Sequence, residues 1–427
     1  MVIPSIDIKN GKVVQLKGGA ELVLERDDPF KLADEFDVYG ETAVIDLDAA
    51  MGLGNNAHII EKILRRTSCR VGGGVKTPED AARWISLGAE KIIVGSAIYR
   101  LENGDLGVNI PLLRSFAAKI GRERLIAAVD SRGGFVTVDG WKTNTGLELI
   151  QTAAAIAPFA GGLLWTCVDR EGAMTGAAIE TAKELRTAVS SCDITIAGGV
   201  SQTAEIAALA RAGCDVQLGM ALYTGKVNMA EAFIASLNWE KTDGMIPVVA
   251  QSPDGQILMT AFSDAEALAE TFKRGFLCFH SRTRNSLWMK GETSGSTLRL
   301  VRFRADCDRD ALLAVVEPAG AVCHTGGWSC FETSRRYTLQ YLEKVIKSRL
   351  ESGENGSYTA SLTDERVRRK IMEEAYEVCT AKTREEVVWE VADLLYHTEV
   401  LMAKEGVFMD EVLSELDRRH KKQGLSK

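Results

Sequence analysis

A pattern of residues in the first part of the chain occurs twice. The two copies are Arg70–Val75 with Val94–Tyr99, and Ile196–Val200 with Leu218–Tyr223. The tyrosines that close them, Tyr99 and Tyr223, stand 124 residues apart. Self-similarity at this spacing, with several structural units in each copy, predicts a fold assembled from two similar halves. The duplication therefore restricts residues 1–240 to architectures with an internal two-fold relation.

Strand-like and helix-like segments alternate through the same residues. Apolar runs rich in β-branched residues end in Gly, Asp or Ser, and stretches with helical periodicity separate them. The predicted strands are Val2–Ile6, Ala43–Leu47, Cys69–Val71, Ile92–Val94, Leu125–Val129, Gly162–Thr166, Ile194–Ile196 and Val216–Leu218. Eight strand–helix units in about 240 residues predict a (β/α)8 TIM barrel. A doubly wound parallel sheet is the alternative, and the repeat favours the barrel.

Two further regions follow the barrel. Residues 244–340 show short strands and turns, with cysteines late in the segment, which predicts a small β-rich α+β zinc domain. Ser348–Ser357 is polar and rich in Gly and Ser, which is typical of a linker. Residues 357–427 follow it and have helical periodicity. We therefore predict a multidomain chain, with the barrel over 1–240 and an all-α domain at the end.

Charge and composition exclude several classes of protein. The chain has 51 basic and 59 acidic side chains, a net charge of −8, and no cluster of Lys or Arg that would face nucleic-acid phosphates. No segment approaches the ~18–20 apolar residues of a membrane span. The first residues lack the basic start of a signal peptide. Nine cysteines, an odd number, suit a reducing compartment, so we expect a cytoplasmic protein.

Two aspartates occupy corresponding positions in the repeat. Asp7 and Asp130 each follow a predicted strand and are 123 residues apart. Because strand ends form the active site of such barrels, the two carboxylates should face each other across its mouth. Opposed carboxylates suit general acid–base work. Aspartate also favours loop starts for conformational reasons, which is the alternative, and the symmetry argues against it.

Glycine-rich strand ends also occur in both halves. One set is Gly73, Gly74, Gly95 and Ser96, and the other is Gly198, Gly199, Gly219 and Met220. Glycines let backbone N–H groups approach a phosphate, and a following helix N-terminus adds positive potential. A single glycine pair usually marks only a turn. Two symmetric sets predict a ligand with a phosphate at each end.

These residues carry a resemblance to a known family. The segments Ile3–Val14, Val44–Asp48, Val71–Val75, Val129–Gly134 and Gly140–Gly146 resemble the histidine-biosynthesis isomerase that acts on phosphoribosylformimino-aminoimidazole carboxamide ribotide (ProFAR). The resemblance implies an Amadori rearrangement of a substrate with two phosphates. It implies that Asp7 is the general base and Asp130 the opposed carboxylate. It also places Thr166 at a site-forming strand end and Trp141 over the substrate, although Trp141 could be an ordinary surface aromatic.

The chain departs from the bacterial pattern of that family at three places. Gln15 stands where Arg is usual, and Lys17–Gly19 replaces Gln-Gly-Asp. Glu171 replaces the aspartate that the resemblance implies as general acid, so it would reach its substrate with one more methylene. Similar variants occur in the fungal branch, and we interpret these departures as the signature of a branch.

Three cysteines cluster in the second region. Cys307, Cys323 and Cys330 lie within 24 residues. Three thiolates and one open position are typical of a catalytic zinc that activates water. Inert buried cysteines are the alternative.

Three aspartates alternate around Cys307. On a strand, Asp306, Asp308 and Asp310 would share a face and converge as Mg²⁺ ligands. A solvated acidic turn is the alternative.

The surrounding motifs resemble phosphoribosyl-AMP cyclohydrolase over about 244–335. They are Phe279–Arg284, Leu287–Gly295, Asp306–Asp308, Cys323–Gly326 and Ser329–Cys330. The resemblance implies hydrolytic opening of the adenine ring to ProFAR. It implies zinc on the three cysteines, magnesium on the three aspartates, and proton transfer by His324 and His280. In that family the zinc site is shared across a dimer, so a homodimer is implied.

Acidic residues recur at helical spacing near the end of the chain. Glu373, Glu374 and Glu377 share one predicted helix face, and Glu390 and Asp393 share another. Apolar neighbours make a fully exposed stripe less favourable, so facing helices could gather these acids around Mg²⁺. A solvated face is the alternative for any single glutamate.

The helical segment resembles phosphoribosyl-ATP pyrophosphatase. The motifs are Gly356–Thr359, Glu373–Glu377, Glu390–His397 and Arg418–His420, and we expect His397 and His420 to be structural. This resemblance implies magnesium on the acids and a homodimer through this domain and the second one.

Together the three resemblances imply consecutive reactions on phosphoribosyl nucleotides, from phosphoribosyl-ATP to the ketose isomer of ProFAR. A bifunctional enzyme with a non-catalytic or anthranilate-type barrel is one alternative. A binding or assembly module without turnover is another.

Overall fold

The computed structural model describes residues 1–102, 105–352 and 356–424. The chain forms two compact units. The first contains residues 1–253 and 257–331, and the second contains residues 254–256 and 332–427. Within the described ranges, no helix has the length and apolar character needed to cross a membrane.

The first unit contains a closed parallel barrel. Its strands are Val2–Lys9, Thr42–Asp46, Cys69–Gly72, Lys91–Val94, Leu125–Ala128, Gly162–Thr166, Asp193–Ala197 and Asp215–Leu218. Each strand pairs with the next, and the last pairs with the first, with Val2 opposite Val216. The predicted strands and the TIM barrel are confirmed. The doubly wound sheet is excluded because an open sheet would leave the first and last strands unpaired.

A helix follows each strand around the barrel. The helices are Pro29–Asp37, Ala57–Leu64, Pro78–Ser86, Ile110–Ile120, Leu149–Ile156, Ile179–Ala188, Thr203–Arg211 and Met229–Ala235. Pro78–Ser86 begins with a capping box formed by Thr77 and Asp80, and Pro78 occupies its first position. Apolar strand residues fill both faces of the sheet, as burial on two sides requires. Ile93 and Ile126 are among those that close the inside of the barrel.

A β-hairpin follows the first strand of each half. Lys12–Lys17 and Glu21–Arg26 form the first, and Phe135–Val138 and Thr143–Glu148 form the second. The first barrel strand is longer than predicted because Ile8 and Lys9 pair with the hairpin. Asp7 therefore lies inside a strand rather than after it.

The region after the barrel forms a mixed sheet within the same unit. Its strands are Ile246–Gln251, Ile257–Ser263, Leu298–Ala305 and Leu312–Pro318, with the helix Ala265–Arg274 and the hairpin Cys278–Ser281 with Ser286–Met289. Its core is continuous with barrel side chains, since the rings of Phe233 and Phe303 stack with centroids 5.8 Å apart. Arg302 also donates to Asp37 at 2.6 Å. The sheet is thus fixed against the barrel.

The second unit is helical. Its helices are Leu339–Ser352, Tyr358–Ser361, Asp364–Thr380, Arg384–Glu405 and Met409–Gly424. The first of them contradicts part of the predicted linker Ser348–Ser357, because the helix continues through Ser352, while residues 353–355 lie outside the described ranges. Leu342 and Ile346, one helical turn apart, are buried, and this buried face supports the helix through its polar end.

Glu399 is a buried carboxyl inside this helical unit. Its side chain is 1% exposed and neither oxygen has a hydrogen-bond partner. Burial, with a smaller contribution from the charge of Glu343, raises its pKa to about 7, and Lys347 opposes the shift. The folded unit therefore retains a proton that the unfolded chain releases above pH ~4.3.

We expect this carboxyl to make the helical unit less stable as pH rises. The pKa of Glu399 is higher in the folded unit than in the unfolded chain. Its contribution to stability is therefore complete below the pKa of the unfolded chain and is lost as pH rises through the pKa of the folded unit. Glu399→Gln should abolish this trend. The gain in free energy of unfolding of the variant over the parent should therefore be roughly 2–3 kcal/mol larger at pH 8 than at pH 5. Denaturant unfolding in EDTA measures this. Glu351→Gln, on an exposed position, is the control, and parallel pH slopes for parent and Glu399→Gln would contradict the assignment.

Candidate active sites

Asp7 lies at the carboxyl end of the barrel, on the first strand. Ser5, two residues earlier on the same strand face, donates its hydroxyl to Asp7 Oδ1 at 2.7 Å. Burial raises the pKa of Asp7 to about 6, and the Ser5 hydroxyl opposes that rise. A carboxylate with this pKa is ionised at neutral pH and is a stronger base than an exposed aspartate.

Asp130 follows the fifth strand and is held by two side chains. Trp141 Nε1 donates to its Oδ2 at 2.8 Å, and Thr166 also hydrogen-bonds to the carboxylate. Burial raises its pKa, while these hydrogen bonds lower it. Its other oxygen, Oδ1, is buried without a partner. Because a buried acceptor without a partner is costly, this oxygen indicates a place where a substrate donor would bind.

Glu171 joins the two aspartates at the barrel mouth. Its pKa is raised to about 8, first by burial and then by the negative charges of Asp7 and Asp130. The carboxyl reaches the loop after the seventh strand, where its Oε2 would lie 3.0 Å from a Cβ placed on Gly198. The longer side chain therefore reaches the site, and residues far apart in sequence form one group of three acids.

Trp141 covers the hairpin of the first half. Its backbone has a φ of +67°, and a Cβ on Gly19 would lie 2.7 Å from its ring. Glycine at position 19 thus gives the indole room to reach Asp130. This explains one departure from the bacterial pattern, since an aspartate there would collide with the ring.

The predicted phosphate cradles have a backbone reason for their glycines. Gly73, Gly74, Gly198 and Gly199 all have φ between +71° and +94°, a region that glycine adopts without strain. A Cβ on Gly73 would lie 2.1 Å from the carbonyl oxygen of Asp46. These loops need glycine for packing in any case, so their phosphate contacts remain a prediction.

The remaining cradle residues begin short helical turns. Gly95 precedes the turn Ser96–Ile98, and Gly219 precedes Met220–Tyr223. Ser96 Oγ accepts from the backbone of Asp139 at 2.9 Å, and Met220 is buried. Gln15 lies directly against Gly219, since a Cβ there would be 2.6 Å from its amide oxygen. Gln15 therefore presents a neutral amide beside the second cradle.

Two of the three predicted zinc ligands meet in the second region. The Cys323 thiol acts electrostatically on that of Cys330, and Thr325 Oγ1 lies 3.0 Å from Cys323 Sγ. The threonine contact lowers the pKa of Cys323, whereas burial and the neighbouring thiol raise that of Cys330. The Thr325 hydroxyl against Cys323 Sγ favours the thiolate form of Cys323, which a metal ligand requires.

Cys307 does not join that pair within one chain. It is exposed on the turn after Leu298–Ala305, and the described residues contain no group of three cysteines that could share an ion. The strand prediction for Asp306–Asp310 is also wrong, because the strand ends at Ala305 and the acids lie on a turn. The turn still brings one oxygen each from Asp306, Asp308 and Asp310 within 4.8 Å of one another.

The predicted histidines differ in their surroundings. His280 Nδ1 lies 2.6 Å from Asp264 Oδ2, and its Nε2 lies 3.1 Å from Asn285 Oδ1. A carboxylate against one ring nitrogen orients the imidazole. His324 is exposed, with Nδ1 3.9 Å from Cys323 Sγ. Both positions remain candidates for proton transfer.

The acids of the helical unit converge as predicted. Glu373, Glu374 and Glu377 form one group, and Glu374 forms another with Glu390 and Asp393. Glu374 belongs to both groups and is 3% exposed. Its Oε1 forms an ion pair with Lys370 Nζ at 2.8 Å. The oxygens in each group lie within 4.8 Å of one another, which suits a hard cation.

Three residues were missed by the sequence analysis. Ser5 could have been found from its period-two spacing to Asp7, and Asp264 from its place before a helix, where it also serves as N-cap. Lys290 is largely buried. Burial lowers the pKa of its ammonium group, and the negative charges of Cys330 and Cys323 oppose that shift. No sequence pattern linked Lys290 to those cysteines, because the fold alone brings them together.

The chain carries three different kinds of site: the acids at the barrel mouth, the thiol pair and the acid cluster of the helical unit. Such a set defines a multifunctional enzyme. Family models match in the same order. The model described as histidine biosynthesis protein matches residues 1–228, phosphoribosyl-AMP cyclohydrolase matches 259–332, and phosphoribosyl-ATP pyrophosphohydrolase matches 339–420. The chain belongs to the histidine biosynthesis protein family.

Curated relatives agree with this assignment. The chain is 40% identical over 206 residues to the histidine biosynthesis bifunctional protein HisIE of Pyrococcus furiosus, which covers 45% of this chain and 99% of the relative. It is 42% identical over 197 residues to HisIE of Vibrio vulnificus, with 43% and 93% covered. HisIE of Campylobacter jejuni is 41% identical over 194 residues, with 43% and 94% covered.

Proposed function

We propose that this chain catalyses three consecutive steps of histidine biosynthesis. The helical unit removes pyrophosphate from phosphoribosyl-ATP, the second region opens the adenine ring, and the barrel isomerises the resulting ProFAR to its ketose. The family models support the three activities. The observation that carries the barrel's part is the convergence of Asp7, Asp130 and Glu171 at one mouth.

The test is product identification. Purified chain is supplied with phosphoribosyl-ATP, Mg²⁺ and Zn²⁺, and the nucleotide products are resolved by mass and chromatography. The expected end product is the ketose isomer. Accumulation of ProFAR would contradict isomerisation and would support the bifunctional alternative with a non-catalytic barrel. The retained group of three acids favours a catalytic barrel.

The barrel acids divide the work of an Amadori rearrangement. Opening the aldose ring requires a proton on its leaving oxygen, and forming the enol requires removal of a proton from the adjacent carbon. Glu171, protonated at neutral pH, suits the donor, and Asp7, ionised there, suits the acceptor. Trp141 and Thr166 fix Asp130 so that its open oxygen can hold a substrate hydroxyl.

Isomerisation should therefore show a bell-shaped pH dependence. The Asp7 carboxylate is lost as pH falls below about 6, and the Glu171 proton is lost as pH rises above about 8. The measurement is kcat/KM for ProFAR from pH 5 to 9.5. Glu171→Asp should move the alkaline limb, because the shorter side chain changes the distance to Asp7 and Asp130. An alkaline limb that does not move would exclude Glu171 as the donor.

Metals complete the other two sites in this proposal. Cys323 and Cys330 would hold zinc with Cys307 of a second copy, since the thiolate character of Cys323 fits such an ion. When bound, zinc would activate the attacking water. The turn of Asp306, Asp308 and Asp310 and the helical acids would hold magnesium, because they offer carboxylate oxygens at short mutual distances.

A homodimer in the cytoplasm follows from the same proposal. Within one chain, Cys307 is separate from the thiol pair, so a second copy is needed to complete the set. The helical unit also leaves large apolar side chains exposed, with Tyr376 at 70% and Trp389 at 71%. Exposure of several large apolar side chains on one unit is typical of an interface between subunits.

A further inference from the structure

Lys241 lies where the barrel passes into the second region. It belongs to the short turn Glu240–Thr242, after the last barrel helix and before the strand Ile246–Gln251. Its Nζ bonds to Asp308 and to Asp310. The ammonium group therefore occupies the acidic turn to which magnesium is assigned above.

Asp306 has a different task in the same turn. Its Oδ1 accepts the backbone N–H groups of Asp310 at 3.0 Å and Ala311 at 3.1 Å. These bonds fix the loop so that the three carboxylates face one another. Asp308 and Asp310 carry like charges, and each forms an ion pair with Lys241.

The barrel also fixes the backbone of this turn. Asn238 donates its N–H to the carbonyl of Arg309 at 2.8 Å and its side-chain amide to the carbonyl of Asp308 at 3.4 Å. Arg309 in turn donates to the carbonyl of Cys214, before the last barrel strand, at 3.1 Å. Lys241 is thus one of several contacts by which the barrel's end holds the turn, and its place there depends on the covalent connection between the two regions.

We propose that Lys241 is a built-in counter-cation that competes with a divalent cation for Asp308 and Asp310 and so sets the metal affinity of the acidic turn. The inference rests on the proposed magnesium site. A divalent ion must displace the ammonium group from both carboxylates, and the freed lysine then stands as a positive charge beside it. Both effects weaken metal binding relative to a chain with a neutral side chain at position 241.

The experiment measures metal affinity directly. Mn²⁺ binding is followed by electron paramagnetic resonance in zinc-loaded full-length chain carrying Glu374→Gln, which removes the acid common to both helical groups. The binding that Asp308→Asn then abolishes belongs to the turn. Adding Lys241→Met should tighten that component about 5-fold, the effect expected for a unit charge about 8 Å from a divalent ion in water. Lys183→Met, which breaks an exposed ion pair with Glu180, is the matched control and should change nothing.

The outcomes separate the inference from the proposal beneath it. Equal or weaker affinity in Lys241→Met, with binding still sensitive to Asp308→Asn, would overturn the role of Lys241 and leave the magnesium site in place. No component sensitive to Asp308→Asn in either chain would overturn the magnesium site itself. In the Glu374-intact enzyme, half-saturation of ring opening by Mg²⁺ should shift to about 5-fold lower concentration in Lys241→Met, with isomerisation unchanged.

Discussion

Asp7→Asn is expected to reduce isomerisation of ProFAR by on the order of 10²–10⁴-fold in kcat, while pyrophosphate release and ring opening continue. The change replaces a carboxylate by an amide of nearly equal shape, so the loss would come from the missing base. Supplied with phosphoribosyl-ATP, the variant should accumulate ProFAR. Product analysis by mass and chromatography measures this directly.

Two further variants separate chemistry from structure at this position. Asp139→Asn makes the same chemical change at an exposed residue near the barrel mouth, and its isomerase rate should equal that of the parent. Ser5→Ala removes the hydroxyl that holds Asp7, so it should change the acidic limb of the pH profile more than the maximal rate. An Asp7→Asn variant within about 10-fold of the parent would show that another residue is the base.

The second large effect is expected at the helical acids. Glu374 is buried and common to both groups of acids, so Glu374→Gln removes a proposed magnesium ligand from each. Residues that only support a metal ligand typically cost 10–100-fold, and a direct ligand should cost more, so pyrophosphate release should fall by over about 100-fold. The measurement is pyrophosphate release from phosphoribosyl-ATP at saturating Mg²⁺.

Glu377→Gln distinguishes a lost ligand from a damaged fold. Burial and the neighbouring charges of Glu390 and Glu374 raise the pKa of Glu377, so a neutral glutamine relieves repulsion in the metal-free unit. The variant should lose activity yet unfold no more easily than the parent in EDTA. Glu365→Gln, exposed on the same helix, is the control for both readouts. Retained pyrophosphate release in Glu377→Gln would exclude it as a ligand.

The sequence predicted the elements whose signal is local. The eight barrel strands were found from β-branched runs, and their closure from the duplication, because apolar burial on both faces leaves a continuous pattern in sequence. The groups of acids near Glu373 and Glu390 were found from helical spacing. The linker at Ser348–Ser357 was wrong in its first half, because a buried Leu342 and Ile346 continue a helix through polar residues.

Side-chain environment could be known only from the tertiary structure. The sequence by itself determined the barrel and the kinds of side chain that each site contains, since both depend on periodicity and on neighbours along the chain. The fold decided that Glu171 reaches the two aspartates, that Cys307 stands apart from the other thiols, and that Lys241 enters the acidic turn. Distances between residues remote in sequence, and the burial that shifts their pKa values, arise only when the chain has packed.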